Sequence, residues 1–360
     1  MILFKLSSHL SNYLGNEKAT GKKIGFVPTM GALHSGHISL INTCKEKNDI
    51  TVCSIFINPT QFNNKEDLKK YPVTIEHDID LLEKAGCDVL FLPEVIEIYP
   101  ARESKVHYDI GQLENIMEGK YRPGHFQGVC QVVDKLLQII KPTTLYLGQK
   151  DYQQCLVLEK LVELKHIQTK VEICPTERET SGLAMSSRNM RLTAVEKQQA
   201  SKIFETLTFI KEDIKAGSLH DIKKKASDYL TSAGFKVDYV ELADTKTLIT
   251  EKTWDGKKPL IALIAAYLNE IRLIDNLMIY VLPFHHITTQ SHTHSNIQAF
   301  NNKAIQPSTI NLLNNQHYLL AKTFILFFTI FYFSGCRYFS CMVAIKKHDR
   351  CGRKGFCQCI

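Results

Sequence analysis

The first 282 residues lack an excess of charge of either sign. The chain of 360 residues carries 44 Lys and Arg against 37 Asp and Glu, a formal net charge of +7. From Pro283 onward stand eight basic residues, Lys303, Lys322, Arg337, Lys346, Lys347, Arg350, Arg353 and Lys354, against the single acid Asp349, which leaves 36 of each sign before them. A neutral body argues against nucleic acid as a partner, because polyanion binding needs a clustered basic face. Cysteine pairs with metal-ligand spacing are missing too. Six of the 11 cysteines (Cys44, Cys53, Cys87, Cys130, Cys155 and Cys174) are scattered singly, as small buried thiols of a reducing compartment would be. A secretion signal is lacking: Ile2-Leu3-Phe4 before Lys5 is far too short for an h-region. A cytoplasmic protein is expected. Internal repeats are absent, and a composition of 44% hydrophobic and 22% charged residues excludes wholesale disorder. The length leaves room for about two domains.

What is present is an alternation of short apolar runs and amphipathic segments up to about residue 175. Strands are expected at Ile24–Val27, Thr51–Ile57, Val89–Leu92, Thr144–Leu147 and Lys170–Cys174. Helices are expected at His37–Lys47, Thr74–Ala85, Phe126–Ile140 and Tyr152–Leu164. This order predicts an α/β fold with a doubly wound parallel sheet, Rossmann-like, over residues 1–175. Ligands of such sheets bind at the carboxyl ends of the strands. Three segments follow strands directly and would share that rim: Met30–His37, Asn58–Phe62 and Gly148–Gln154. After Pro175 the pattern changes. A polar loop, Glu177–Arg191, leads into helical stretches around Ala194–Ala216 and Ile222–Ala233, then β-like segments at Val237–Leu242, Leu260–Ala266 and Glu270–Leu277. Residues 176–282 therefore read as a second, smaller α+β domain.

The richest motif is Val27-Pro28-Thr29-Met30-Gly31-Ala32-Leu33-His34-Ser35-Gly36-His37, an apolar strand, a Gly-rich turn and two histidines at a helix N-terminus. Backbone N–H groups and the helix dipole favour an anion there. His-x-Gly-His at such a junction is the pattern of nucleotidyltransferases that bind ATP phosphates. Taken alone it is equally compatible with one capping and one exposed histidine.

Five further blocks stand in order behind it: Phe56-Ile57-Asn58-Pro59-Thr60-Gln61-Phe62, Tyr121-Arg122-Pro123-Gly124-His125-Phe126-Gln127-Gly128-Val129, Leu147-Gly148-Gln149-Lys150-Asp151-Tyr152-Gln153-Gln154, Arg178-Glu179 with Gly182-Leu183-Ala184-Met185-Ser186-Ser187-Arg188-Asn189, and Arg272-Leu273-Ile274-Asp275-Asn276. With these the chain resembles the pantothenate synthetase family over about residues 1–282. The resemblance implies a ligase that condenses pantoate with β-alanine through pantoyl adenylate, using ATP with Mg²⁺ and releasing AMP and pyrophosphate. It also implies a homodimer. His34 and His37 would donate to the triphosphate, Lys150 would neutralise phosphate charge, and Asp151 would orient ribose or metal or merely cap the helix that starts at Tyr152. Met30, Gly31, Ala32, Leu33, Ser35, Gly36, Gly148, Gln149, Glu177, Met185, Ser186, Ser187 and Arg188 would complete the ATP site. Gln61 and Gln154 would read pantoate, since an amide donates to a carboxylate and accepts from hydroxyls. The metal ligands stay unassigned, and Arg122 and His125 are open to a structural or a catalytic part. A dinucleotide-forming adenylyltransferase is a second reading, disfavoured by the Gln61 and Gln154 blocks.

Three positions depart from the family pattern: Val73 and Gln131 replace the usual arginine and threonine, and Glu177 a usual hydrophobic residue whose backbone contacts adenine. The family pattern stops near Met278–Leu282. Residues 283–310 are rich in His, Asn, Gln, Ser and Thr and read as disordered. Within the apolar run at 318–336 the strictly apolar core, Thr323–Phe333, is short for a membrane span, although Lys322 could snorkel. An extension of 283–360 without selected function is favoured over a tail anchor. Cys351, Cys357 and Cys359 lack a fourth ligand for zinc, and Cys357-Gln358-Cys359-Ile360 is a poor prenylation box.

Overall fold

Runs such as Ile24–Val27 and Ile50–Ile55 are largely apolar and buried at every position, as strands covered by helices on two sides are. In the computed structural model, which describes residues 1–62, 65–100 and 106–279, they form the centre of a parallel sheet. Its strands are β1 (Ile2–Phe4), β2 (Ile24–Thr29), β3 (Ile50–Ile55), β4 (Val89–Phe91), β5 (Thr144–Gly148) and β6 (Lys170–Cys174). Their spatial order is β1-β4-β3-β2-β5-β6. The chain steps outward from β2 through β3 to β4, then returns to the other side of β2 as β5. The order therefore reverses between β2 and β5, where Gly25 pairs with Thr144 and Phe26 with Leu145.

Helices α1 (Ser7–Ala19), α2 (Ser35–Lys47), α3 (Lys65–Lys69), α4 (Ile75–Ala85), α5 (Val95–Ile98), α6 (Met117–Tyr121), α7 (His125–Ile140) and α8 (Tyr152–Leu164) surround this sheet. One face is covered by α1, α7 and α8, whose Leu10, Leu14, Val133, Leu137 and Leu158 pack on Phe26, Val52 and Leu145. The other is covered by α2 and α4, through Ile41, Cys44 and Leu82. All six cysteines of the body are buried and unpaired. The expected parallel sheet is present with one strand more, because β1 at the edge joins β4 in register Ile2↔Val89.

The second layer holds α9 (Ala194–Ala200), α10 (Lys202–Asp213), α11 (His220–Ser232), a ribbon of β7 (Gly217–Ser218) with β9 (Thr253–Trp254), and an antiparallel sheet. That sheet consists of β8 (Lys236–Asp244), β10 (Leu260–Leu268) and β11 (Ile271–Ile279), with β10 in the middle. The helix expected over 194–216 is divided at Ser201, whose carbonyl accepts from both Phe204 N–H and Glu205 N–H, and it ends at Asp213 before Gly217. Alternate residues of β10 face opposite ways. Leu260, Ala262, Ile264 and Ala266 pack under α10 and α11, while Ile261, Leu263 and Ala265 meet Met117, Tyr152 and Leu156 of the first layer. The described residues thus make one compact unit that holds both larger sheets and the ribbon. A buried ion pair spans the junction: Arg272 of β11 donates to both carboxylate oxygens of Glu118 at 2.7 and 2.8 Å, and Tyr239 OH donates to Glu118 at 2.9 Å. Among the described residues no helix is long and apolar enough to cross a membrane. The expectations for 283–310 and 318–336 lie outside the described residues.

Candidate active site

The reversal of strand order between β2 and β5 opens a crevice at their carboxyl ends, and the loops that follow them build its walls. After β2 the chain turns through Gly31 and Ala32, both at positive φ (79° and 49°). A non-glycine residue there is strained and needs outside support. The buried carboxylate of Asp78 in α4 supplies it, accepting from Ala32 N–H at 2.9 Å and Leu33 N–H at 2.8 Å. Those two amides are therefore engaged inside the protein. Gly31, Ala32 and Leu33 lie beneath the cleft rather than among its lining residues.

His34 is the N-cap residue of α2, and Ser35 and Gly36 begin the helix. His37, one turn in, accepts from His34 N–H through Nδ1 at 3.4 Å. That bond places the ring proton on Nε2, away from the helix. The two imidazoles stand 4.0 Å apart between centroids. Burial, then the nearby Lys150 charge, pushes His34 down to about 4. Burial, then His34, pushes His37 down to about 3. Both are neutral donors at neutral pH, and His34 Nδ1 is buried without a partner. Gly36 lets them pack: a Cβ there would stand 3.0 Å from the His34 ring and 3.2 Å from Met185 Cβ. Ser35 is exposed beside them.

Opposite, β5 ends at Gly148 and a tight turn, Gln149–Asp151, leads into α8. Lys150 and Asp151 line the cleft, with Lys150 Nζ 3.4 Å from the carboxylate. Burial raises the Asp151 carboxyl, but Lys150, Arg188 and Arg122 outweigh it and hold the group below its ordinary value. At 48% exposure the charge of these neighbours, rather than enclosure, governs it. Gln154 lines the same cleft from the first turn of α8. Gln149 does not; its amide turns away to Asn276 Oδ1 at 3.2 Å.

The third wall is the loop Glu177–Arg188. Arg178 and Ala184 form an antiparallel bridge, and Met185 N–H donates to Glu177 O at 2.9 Å, so the exposed Glu177 side chain leaves its backbone at the cleft. Ser186 Oγ caps the next turn by accepting from Arg188 N–H at 3.3 Å, and Ser187 Oγ lies 3.1 Å from Tyr71 OH. Arg188 donates to Asp67 at 2.9 Å. Met185, Ser186, Ser187 and Arg188 all line the cleft.

Gln61 lies at the end of the Pro59–Gln61 turn, and its amide is oriented by a chain of bonds. Tyr99 OH donates to Asn58 Oδ1 at 2.8 Å, Asn58 Nδ2 donates to Gln61 Oε1 at 3.1 Å, and Gln61 Nε2 is left facing Met30 Sδ at 2.7 Å. The donor end thus faces the cleft. His125 Nδ1 meets Gln61 O at 2.9 Å, while Arg122 lies 3.7 Å from Glu118. Both also line the cleft. Asn58, Asp67, Tyr71, Asp78 and Asn276 were not singled out by sequence. Each acts through a partner 3 to 127 residues away, and only the Asn58–Gln61 spacing is local enough to be read. Of the three departures, Val73 points into solvent at 66% exposure, Gln131 is half-buried on α7, and Glu177 keeps its backbone in place.

The family model for pantoate-beta-alanine ligase matches residues 3–278. The pantothenate synthetase of Cytophaga hutchinsonii is 46% identical over 284 residues, covering 78% of this chain and 99% of that protein. The enzyme of Flavobacterium psychrophilum is 43% identical over 279 residues, covering 77% and 99%. The crystal structure of the Thermus thermophilus pantothenate synthetase superposes with a TM-score of 0.72 at 37% identity, over 78% of this chain and all of that one. The Francisella tularensis ligase, described as complexed with β-γ ATP and β-alanine, superposes with a TM-score of 0.65 at 41% identity, over 77% and 97%. With its six motif blocks gathered on two sheets of that architecture, the chain belongs to the pantoate–β-alanine ligase family.

Proposed function

We propose that this cleft is where the ligase activates pantoate with ATP and passes the acyl group to β-alanine. The observation that carries it is the convergence of Lys150, Arg188 and two neutral histidines on one space at the N-terminus of α2. Pantoate carboxylate attacks the α-phosphorus, and pyrophosphate leaves. Charge gathers on the phosphate oxygens as it does so, and donors already held in place stabilise it without reorganising. His37 Nε2–H, His34, Lys150 and Arg188 are those donors. Gln61 Nε2 and Gln154 orient the pantoate carboxylate and hydroxyls. The β-alanine amine then attacks the acyl carbon of pantoyl adenylate and AMP leaves.

Mg²⁺ fits the same space. It usually keeps several waters and takes one or two carboxylates plus substrate phosphates. The ionised Asp151, facing the cleft beside Lys150, is the carboxylate suited to that part, and the ion would mask triphosphate charge. Among the described residues no cluster of three or more His, Cys, Asp or Glu cages a metal. We also place the protein in the cytoplasm as a homodimer, with residues 1–175 as the nucleotidyltransferase domain, 176–282 as the smaller α+β domain and 283–360 as an extension.

The test is incubation with ATP, pantoate and β-alanine, following AMP and pantothenate. Omission of β-alanine must still release pyrophosphate and leave enzyme-bound pantoyl adenylate. Absence of both products from folded protein would end the reading.

A further inference from the structure

Asn276 lies in the Arg272–Asn276 block, which the site as described leaves without a task. We infer that Asn276 is a positioning residue for adenylation, holding the turn that carries Lys150; this rests on the assignment of Lys150 to the ATP phosphates.

The residue is 2% exposed on β11, across the layer junction from the cleft turn. Its Nδ2 donates to Gln149 O and to Lys150 O, both at 2.9 Å. Its Oδ1 accepts from Gln149 Nε2 at 3.2 Å. The amide end is therefore assigned by three partners, two acceptors on one side and a donor on the other. The turn it grips is a three-residue 3-10 segment between β5 and α8. So short a segment has no repeating ladder to fix its direction, and the Lys150 side chain leaves from its centre.

The main chain of the same position reaches the other phosphate-facing wall. Asn276 O accepts from Arg178 Nη2 at 3.3 Å, and Asn276 N–H donates to Asp275 Oδ1 at 2.8 Å. Asp275 in turn holds the Arg178 guanidinium at 2.5 and 3.0 Å, and Arg178 donates to Gly182 O at 3.0 Å. Arg178 lies near the start of the Glu177–Arg188 loop. One strand position thus sets the distance between Lys150 and the Met185–Arg188 loop. A displacement there would spoil alignment with the phosphates, and a misplacement of about 1 Å can cost on the order of a hundredfold in rate.

The experiment compares full-length wild type, Asn276→Ala, Lys150→Ala and the double variant in the adenylation half-reaction, read as pyrophosphate release. Aminolysis of preformed pantoyl adenylate is measured separately, and folding is checked by circular dichroism and melting. Asn276→Ala is expected to lower adenylation kcat about tenfold or more, with aminolysis less affected. Added to Lys150→Ala it should cost less than about twofold, because a residue that acts through another has nothing further to lose. Losses that multiply in the double variant, or wild-type adenylation by folded Asn276→Ala while Lys150→Ala is impaired, overturn the proposal. Wild-type adenylation by Lys150→Ala overturns the site assignment and the proposal with it. Should Asn276→Ala fail to fold, Gln149→Leu removes only the bond that orients the amide. A smaller adenylation loss with the same non-additivity then supports the proposal, and an unchanged adenylation rate overturns it.

Discussion

Neutrality of His34 and His37 decides how they serve an anion. A protonated pair with ring centroids 4.0 Å apart would repel itself in a half-buried niche already facing Lys150. Kept neutral, each ring offers one N–H and needs no counter-charge before the triphosphate arrives. Loss of one such preorganised donor typically costs about 10²–10³ in kcat. His37→Ala and Lys150→Ala should therefore each lower adenylation by about a hundredfold or more in folded protein, measured as pyrophosphate release. The same residues leave a signature in stability. Against an ordinary histidine value of 6.5, His34, His37 and His125 are lowered to about 4, about 3 and about 3. Between pH 6.5 and those values the unfolded chain binds more protons than the folded one, so stability is greatest above pH 6.5 and is lost as pH falls toward 3. Denaturant melts from pH 7 to 4 should show that loss, and His37→Gln, which cannot take up the proton, should make it shallower. An unchanged slope would mean that His37 titrates normally in the folded state.

Elements act on the site through close approaches of backbone. Helix α7 touches the Pro59–Gln61 turn at Gly128, where a Cβ would stand 2.4 Å from Thr60 O and 2.7 Å from Gln61 Cα. Backbone cannot give way as a flexible side chain does. Gly128→Ala should cost about 1–3 kcal/mol in stability, as overpacking does. It should also raise KM for pantoate more than KM for ATP, because the displaced turn carries Gln61; equal effects on both would detach that turn from pantoate. Much of this was legible beforehand. Strands β2 to β6 and helices α2, α4, α7 and α8 announce themselves because their apolar patterns are local, and Pro28, Gly86, Pro93, Pro142, Gly148 and Pro175 punctuate several of them. Strand β1 does not: three half-exposed residues become a strand only by pairing with β4, some 87 residues on in register. The site divides the same way. His34, His37, Gln61, Lys150 and Arg188 stand in contiguous blocks that meet at one rim. The supports could not be read, since Asp78 finds Ala32 46 residues away and Asn276 finds Lys150 126 residues away. Gln149 shows what a block leaves unread: its side-chain amide turns to Asn276 instead of the cleft.

At the scale of the whole molecule, the ligase fold closes well before the chain does. The family match ends at residue 278 and β11 at Ile279. The Thermus thermophilus enzyme is matched over its entire length by 78% of this chain. Every residue assigned here to catalysis or positioning precedes Leu282. The sequence beyond differs in charge balance, with eight basic residues to one acid, and in its apolar run Thr323–Phe333. Exposed apolar runs favour association between chains more than they stabilise one. A protein ending after Leu282 should keep full ligase turnover, melt within error of the complete chain and aggregate less, as read by light scattering at matched concentration. A markedly lower melting temperature, or lost turnover in a folded truncation, would show that residues 283–360 pack against the ligase and contribute to its work.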